Sequence, residues 1–205
     1  MLEHIPVWLG HAMSGLRAGI DKLAIVQLGE NFETLDLTSP AFAHESRLPS
    51  RFTADGEGVS PPLVWTEPPV GTSQMVLIVE DADAPSPQPL VHAIIWGLEA
   101  DAGRLAEGAI VADGEGDPAG RDVGRNSYLR EGWLPPDPPS GHGEHRYAFQ
   151  LFAVAAGAGD AGTTPGRSAV IKAITGHVLA AGFLIGTYSR AESAPTGPVG
   201  ITAPA

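Results

Sequence analysis

Between residues 32 and 190 the apolar residues of this chain come in short runs, each cut off by proline or glycine, and that punctuation excludes a fold built on long helices. The chain carries 26 glycines and 19 prolines in 205 residues, so turns are frequent and elements short. The runs LDLTSPAF at residues 35–42, LVW at 63–65, MVLIVED at 75–81, LVHAIIWGLEA at 90–100 and RYAFQLFAV at 146–154 read as strands. Residues 106–134 are Gly-rich and polar without a period of their own, and read as a long ordered loop. Residues 155–166 have the composition of a mobile linker. Ser168 is placed to cap a short helix that turns Val170, Ile171, Ile174, Val178 and Leu179 inward. Gly182 would stop that helix in the left-handed conformation, and residues 183–188 would return as a strand.

The first thirty residues have a different texture. Ile5, Trp8, Leu9, Ala12, Met13, Leu16, Ile20 and Leu23 recur at three- and four-residue spacing, with Pro6 tolerable in a first turn. This predicts one amphipathic helix over residues 5–27. Its apolar stripe needs a partner: the rest of the chain, a second copy in a homodimer, or a membrane surface. Only Arg17 and Lys22 supply cations, which disfavours the membrane. The expected organisation is a helical extension at 1–31, one mainly β domain at 32–190 and a loose tail at 191–205.

The formal charge of -12, from 12 basic against 24 acidic residues, repels a phosphate backbone at long range, so nucleic acid is not expected as a partner. Cysteine is absent, which removes disulfides, thiolate nucleophiles and cysteine-type zinc sites together. The start lacks a basic region followed by an apolar one, and no run is long enough to span a bilayer, so a cytoplasmic protein without a transmembrane segment is expected.

Two clusters carry chemistry. In EDADAP, residues 80–85, alternation would put Asp81 and Asp83 on one face, Pro85 turns the chain, and His92 follows inside an apolar run. One carboxylate can then orient an imidazole. In PPDPPSGHGEHRY, residues 135–147, four prolines stiffen the entry, and His145 and Tyr147 fall on one face of the next strand. His142 and Ser140 lie nearby in sequence. Alone, the elements of the first cluster read more readily as solvated turn residues and a satisfied core histidine, and the second reads also as a proline-rich connection whose His142 and His145 are merely exposed.

Together, DADAP at 81–85, His92 and PPSGHGEHRY at 138–147 resemble the signature of the phosphatidylethanolamine-binding protein family, in its bacterial Raf-kinase-inhibitor-like branch. LTSPAF at 37–42, DGEGVSPPLVW at 55–65, GRNSY at 124–128 and GHVLAAGFLIGTYSR at 176–190 extend the resemblance over roughly residues 35–190. It implies an antiparallel Greek-key β-sandwich with a few peripheral helices. It also implies a pocket for a small anionic ligand, phosphate, carboxylate or phospholipid head group, formed by Asp81, His92, Pro138, Pro139, His145 and Tyr147, with Asp83 and Pro85 shaping its wall. No enzymatic turnover and no cofactor are implied. A kinase or protease is the implied class of protein partner. Asp137 departs from the family pattern, where glycine often precedes the paired prolines, and places an extra carboxylate at the rim.

Other chemistries find less support. There is no G-x-S-x-G elbow and nothing places a base against Ser140. Asp81, His92 and His145 could form a mixed nitrogen and oxygen metal set, but none sits at a helical histidine spacing. The acidic run at 113–117 suggests a calcium loop until Pro118 and Gly124 are found where glycine and glutamate are required.

Overall fold

The computed structural model describes residues 6–29, 31–113 and 122–190, with ten strands and three α-helices among them. In chain order these are α1 (Val7–Met13), α2 (Ala24–Leu28), β1 (Glu33–Thr34), β2 (Leu37–Thr38), β3 (Ser46–Arg47), β4 (Leu63–Trp65), β5 (Thr72–Asp81), β6 (Leu90–Leu98), β7 (Gly103–Leu105), β8 (Asp122–Val123), β9 (His145–Ala155), α3 (Arg167–Ile174) and β10 (Val178–Tyr188). The tail expected at 191–205 and most of the acidic run at 113–117 lie outside the described residues.

The large sheet runs β1-β10-β9-β5-β6-β8, with β3 also pairing β10, and the small sheet runs β2-β4-β7. Pairing is antiparallel except where β1 and β3 lie parallel to β10. The long return from β6 to β9, which lies on the far side of β5, is the Greek-key step. The chain is therefore a mainly antiparallel β-sandwich with few helices.

Both faces of the large sheet are covered, which is why β5 and β9 read as continuous apolar runs. On one face Leu77, Val79, Phe149 and Leu151 pack with Leu63, Trp65 and Leu105 of the small sheet. On the other, Val76, Ile78, Phe152 and Val154 pack with Val170 and Ile174 of α3 and with Ala24. Trp133 of the long connection stacks on Phe149 at 6.1 Å.

The single N-terminal helix does not form. The chain makes α1, a 3-10 turn at Ile20–Lys22 and α2 instead. Gly19, at φ 104, adopts a conformation that no helix continues through. Ala18 and Gly19 donate their amides to the carbonyls of Ala84 and Ala82. Leu23 and Ala24 are buried, while Trp8 stays 69% exposed, so the segment docks in cis without burying its whole apolar stripe.

Two further expectations change. Ser168 does not cap α3: the N-cap is Gly166, with no side-chain bond. The helix ends at Ile174, and Val178, Leu179 and Gly182 all belong to β10. Residues 155–166 are tied down by Gly159 N–H on the Ala173 carbonyl and by Arg125 on the carbonyls of Thr164 and Pro165.

Candidate functional site

Alternation along β5 sends its last two carboxylates to opposite faces. Asp81 follows Leu77 and Val79 towards the sandwich interior. Glu80 follows Val76 and Ile78 to the other face, where it accepts from Ala24 N–H and Gln150 Nε2 and pairs with Arg167. Gln150 Oε1 takes the next amide, of Ile25, so two side chains of the sheet cap α2.

Asp81 ends its strand, so alternation does not carry on to Asp83 as expected. Asp83 N–H turns back onto Asp81 Oδ1 at 2.8 Å. The Asp83 carboxylate instead accepts from Arg146 N–H, Nε and Nη2 at 2.9, 2.7 and 2.7 Å, and from Arg17 Nη1 at 2.8 Å. Burial raises its pKa, but the two guanidinium groups outweigh burial and hold it at about 2.

His92 is aimed by an irregularity in the ladder. Val79 pairs Ala93 while Glu80 pairs Val91, so the register slips by one residue and His92 is left over, as in a β-bulge. His92 Nδ1–H donates to the Leu134 carbonyl at 2.6 Å, because a carbonyl can only accept. Nε2 is then a lone pair in the neutral ring. It is buried, with no hydrogen-bond partner among the described residues. Burial pulls the His92 pKa down despite the opposing pull of Asp81 and the Leu134 bond.

These groups meet at a pocket of about 220 Å³. Asp81, Pro85, His92, Pro138, Pro139 and His145 of the expected set line it. Asp83 and Tyr147 do not. Tyr147, opposite Asp81 in the ladder, is fully buried beside His92, their rings edge to face at 5.1 Å. Its hydroxyl has no hydrogen-bond partner among the described residues, and burial raises its pKa well above the ordinary tyrosine value. The rest of the wall is largely apolar, from Ala54, Ala84, Leu90, Leu134 and Pro135, with Tyr128 and Arg130 at the exposed edge.

His145 is among the residues expected to form the pocket, but the protein takes both its ring nitrogens. Nδ1 lies 2.7 Å from Asp81 Oδ2, and Nε2 lies 2.7 Å from His142 Nδ1. His142 Nε2 in turn lies 2.9 Å from the Met13 carbonyl and 3.2 Å from that of Leu16. All four ring nitrogens are engaged, so neither histidine has a free lone pair to act as base for Ser140. Nor is either free to ligate a metal.

Sequence reasoning missed His142 and Arg190. The spacing of His142 and His145 was the available signal, yet in an extended chain three residues imply no contact; a tight turn, with His142 N–H on the Pro139 carbonyl, brings the rings together. Arg190 answers the carboxylate at the rim. It pairs with Asp137 at 2.6 Å and with Asp55 at 2.8 Å, and donates to the Pro138 carbonyl. Asp137 therefore enters the pocket wall as a paired charge.

The family model described as phosphatidylethanolamine-binding protein matches residues 38–189. The UPF0098 protein of Methanothermobacter thermautotrophicus is 39% identical over 158 residues, which cover 76% of this chain and 99% of that protein. A Mycobacterium tuberculosis protein named as a lipoprotein, LppC, is 37% identical over 120 residues, covering 58% of this chain and 55% of its own. Among solved structures, a phosphatidylethanolamine-binding protein homologue of Chlamydia trachomatis superposes with a TM-score of 0.68 at 31% identity, over 78% of this chain and 99% of that one. Escherichia coli YbcL superposes with a TM-score of 0.70 at 23% identity, over 77% and 99%, which speaks for the fold alone. By both its sequence and its β-sandwich, the chain belongs to the phosphatidylethanolamine-binding protein family.

Proposed function

We propose that this protein binds a small acid without chemical turnover, by its carboxylate or phosphate group, in the pocket floored by Asp81, His92 and His145. The observation that carries this reading is the buried, unpartnered Nε2 of His92 at a pre-formed pocket walled by prolines. A neutral Nε2 accepts, so an ionised ligand is held only when a proton joins the ring, and binding takes up that proton. The Tyr147 ring packs edge to face on His92 behind the pocket lining, and its hydroxyl has no hydrogen-bond partner among the described residues. The mostly apolar wall favours a ligand with an apolar body behind its acid group. The reading without turnover is supported by the occupied nitrogens of His142 and His145, which leave neither of them free as a base for Ser140.

Calorimetric titration of benzoate, repeated in buffers of different ionisation enthalpy, tests this directly. It should show uptake of close to one proton at pH 7 and an affinity that falls as pH rises. His92→Gln should lose about 1.5–3 kcal/mol, the worth of one charge-assisted hydrogen bond, along with the proton uptake. Binding of equal strength with no proton uptake would refute the role of His92.

A second reading, an interaction module that inhibits a kinase or protease, draws on the exposed Trp8, Leu16 and Leu129, which are large apolar residues left in solvent. Exposed apolar residues of this kind could instead bring two copies together as a homodimer; sedimentation at rising concentration distinguishes the two. No helix among the described residues is long and apolar enough to cross a membrane. We place the protein in the cytoplasm on its cysteine-free composition; the lipoprotein name of the mycobacterial relative points the other way, and cell fractionation decides.

A further inference from the structure

The hydrogen bonds of His142 and His145 fix a proton count. A carbonyl cannot donate, so His142 Nε2 carries a hydrogen towards Met13 and Leu16. One hydrogen must lie between His142 Nδ1 and His145 Nε2, and another between His145 Nδ1 and Asp81 Oδ2, because two lone pairs 2.7 Å apart repel. These three hydrogens are one more than two neutral imidazoles and an ionised carboxylate carry along this chain. Wherever the extra proton sits, the trio has no net charge. His145 touches the Asp81 carboxylate at 2.7 Å, whereas His142 touches only His145 and the carbonyls of Met13 and Leu16, so the carboxylate draws that proton to the Asp81–His145 side.

We propose that His142 is a positioning residue of the pocket: held by the carbonyls of Met13 and Leu16, it keeps one extra proton on the Asp81–His145 pair, and so makes the N-terminal segment part of the anion site. This rests on the anion-binding reading. An ionised Asp81 alone would repel an acid; the stored proton cancels that charge. The other ion-paired groups around the pair offset one another only as a set. Arg17 reaches the carbonyls of His142 and Glu144, and it shares the Asp83 carboxylate with Arg146, so these three leave one positive charge, which the exposed Glu144 carboxylate faces. His92 from β6 and Tyr147 from β9 are buried. Asp137 shares Arg190 with Asp55, so that group leaves one negative charge, opposite in sign to the one left by Arg17, Arg146 and Asp83. His11 of α1 lies near Gly141 on the exposed side.

The test compares the intact protein with His142→Phe and His142→Gln. Phenylalanine fills the site but cannot accept; glutamine accepts through its carbonyl and donates through its amide, as the histidine does. Nitrogen-15 NMR of the unliganded wild type should show both His145 ring nitrogens protonated at pH 7. In His142→Phe one of them should become unprotonated, and benzoate affinity at pH 7 should fall about tenfold, recovering one pH unit lower. His142→Gln should restore both. An unprotonated His145 nitrogen in the wild type, a phenylalanine variant with the wild-type signature, or a glutamine variant that behaves like the phenylalanine one would each overturn the proposal. If benzoate binds none of the three proteins, the anion reading falls, and the nitrogen signals still decide the proton count.

Discussion

Replacing Asp83 by asparagine should cost stability in a way that depends on pH. The carboxylate is inaccessible and accepts four hydrogen bonds from Arg146 and Arg17, whose side chains are 39% and 34% exposed. Its pKa of about 2 stands against 3.8 for the free group. At about 1.4 kcal/mol per pH unit, the ionised form contributes about 2 kcal/mol, somewhat less where solvent screens the two arginines. Because the folded-state pKa is the depressed one, this contribution is fully present above pH 3.8 and is lost as pH falls towards 2. Asparagine keeps the shape of the side chain but turns an amide NH2 on the guanidinium groups. Urea unfolding of Asp83→Asn should therefore show a loss of about 2 kcal/mol at pH 7, equivalent to a fall in Tm of about 4–8 °C for a domain of this size, and about half that loss at pH 3. A cost equal at pH 7 and pH 3 would refute the assignment of charge to Asp83.

Glu80→Gln should undock the N-terminal segment, since it leaves Arg167 without its buried partner; a loss of about 3 kcal/mol is expected, with faster hydrogen exchange at the amides of Ala24 and Ile25. Arg130→Gln, at the exposed edge of the pocket, should leave Tm unchanged, weaken benzoate only a few-fold, and flatten the salt dependence of binding.

Strands β5, β6 and β9 were legible because sheet strands covered on both faces need unbroken apolar runs, which few other elements of that length need. The N-terminal helix was misread because periodicity counts apolar positions and overlooks Gly19, whose backbone turn sets the segment against the carbonyls of residues 82 and 84. Asp81 and His92 could be paired from the motif, and the structure sets them around one pocket. Which of the three histidines keeps a free nitrogen could not be read, for that depends on a ladder irregularity at His92 and on carbonyls more than a hundred residues away from His142, at Met13 and Leu16. The same holds for Asp137, whose partner arrives from beyond the end of β10.

The close of the large sheet on its β10 side bears on solubility. Eleven residues of unpaired backbone there would offer a template for strand addition by another copy, the usual route to aggregation. Two short parallel strands block it: β1 at Ala180 and Ala181, and β3 at Gly186 and Thr187. The chain between them dips into the small sheet as β2, and it fits because Gly182 has no Cβ; one would sit 2.8 Å from Leu37 Cβ and 2.9 Å from the Leu35 carbonyl oxygen. A side chain at residue 182 would push this guard outward. Its effect would appear first as concentration-dependent precipitation on refolding, with the pocket around Asp81 and His92, which no residue of β10 lines, still intact.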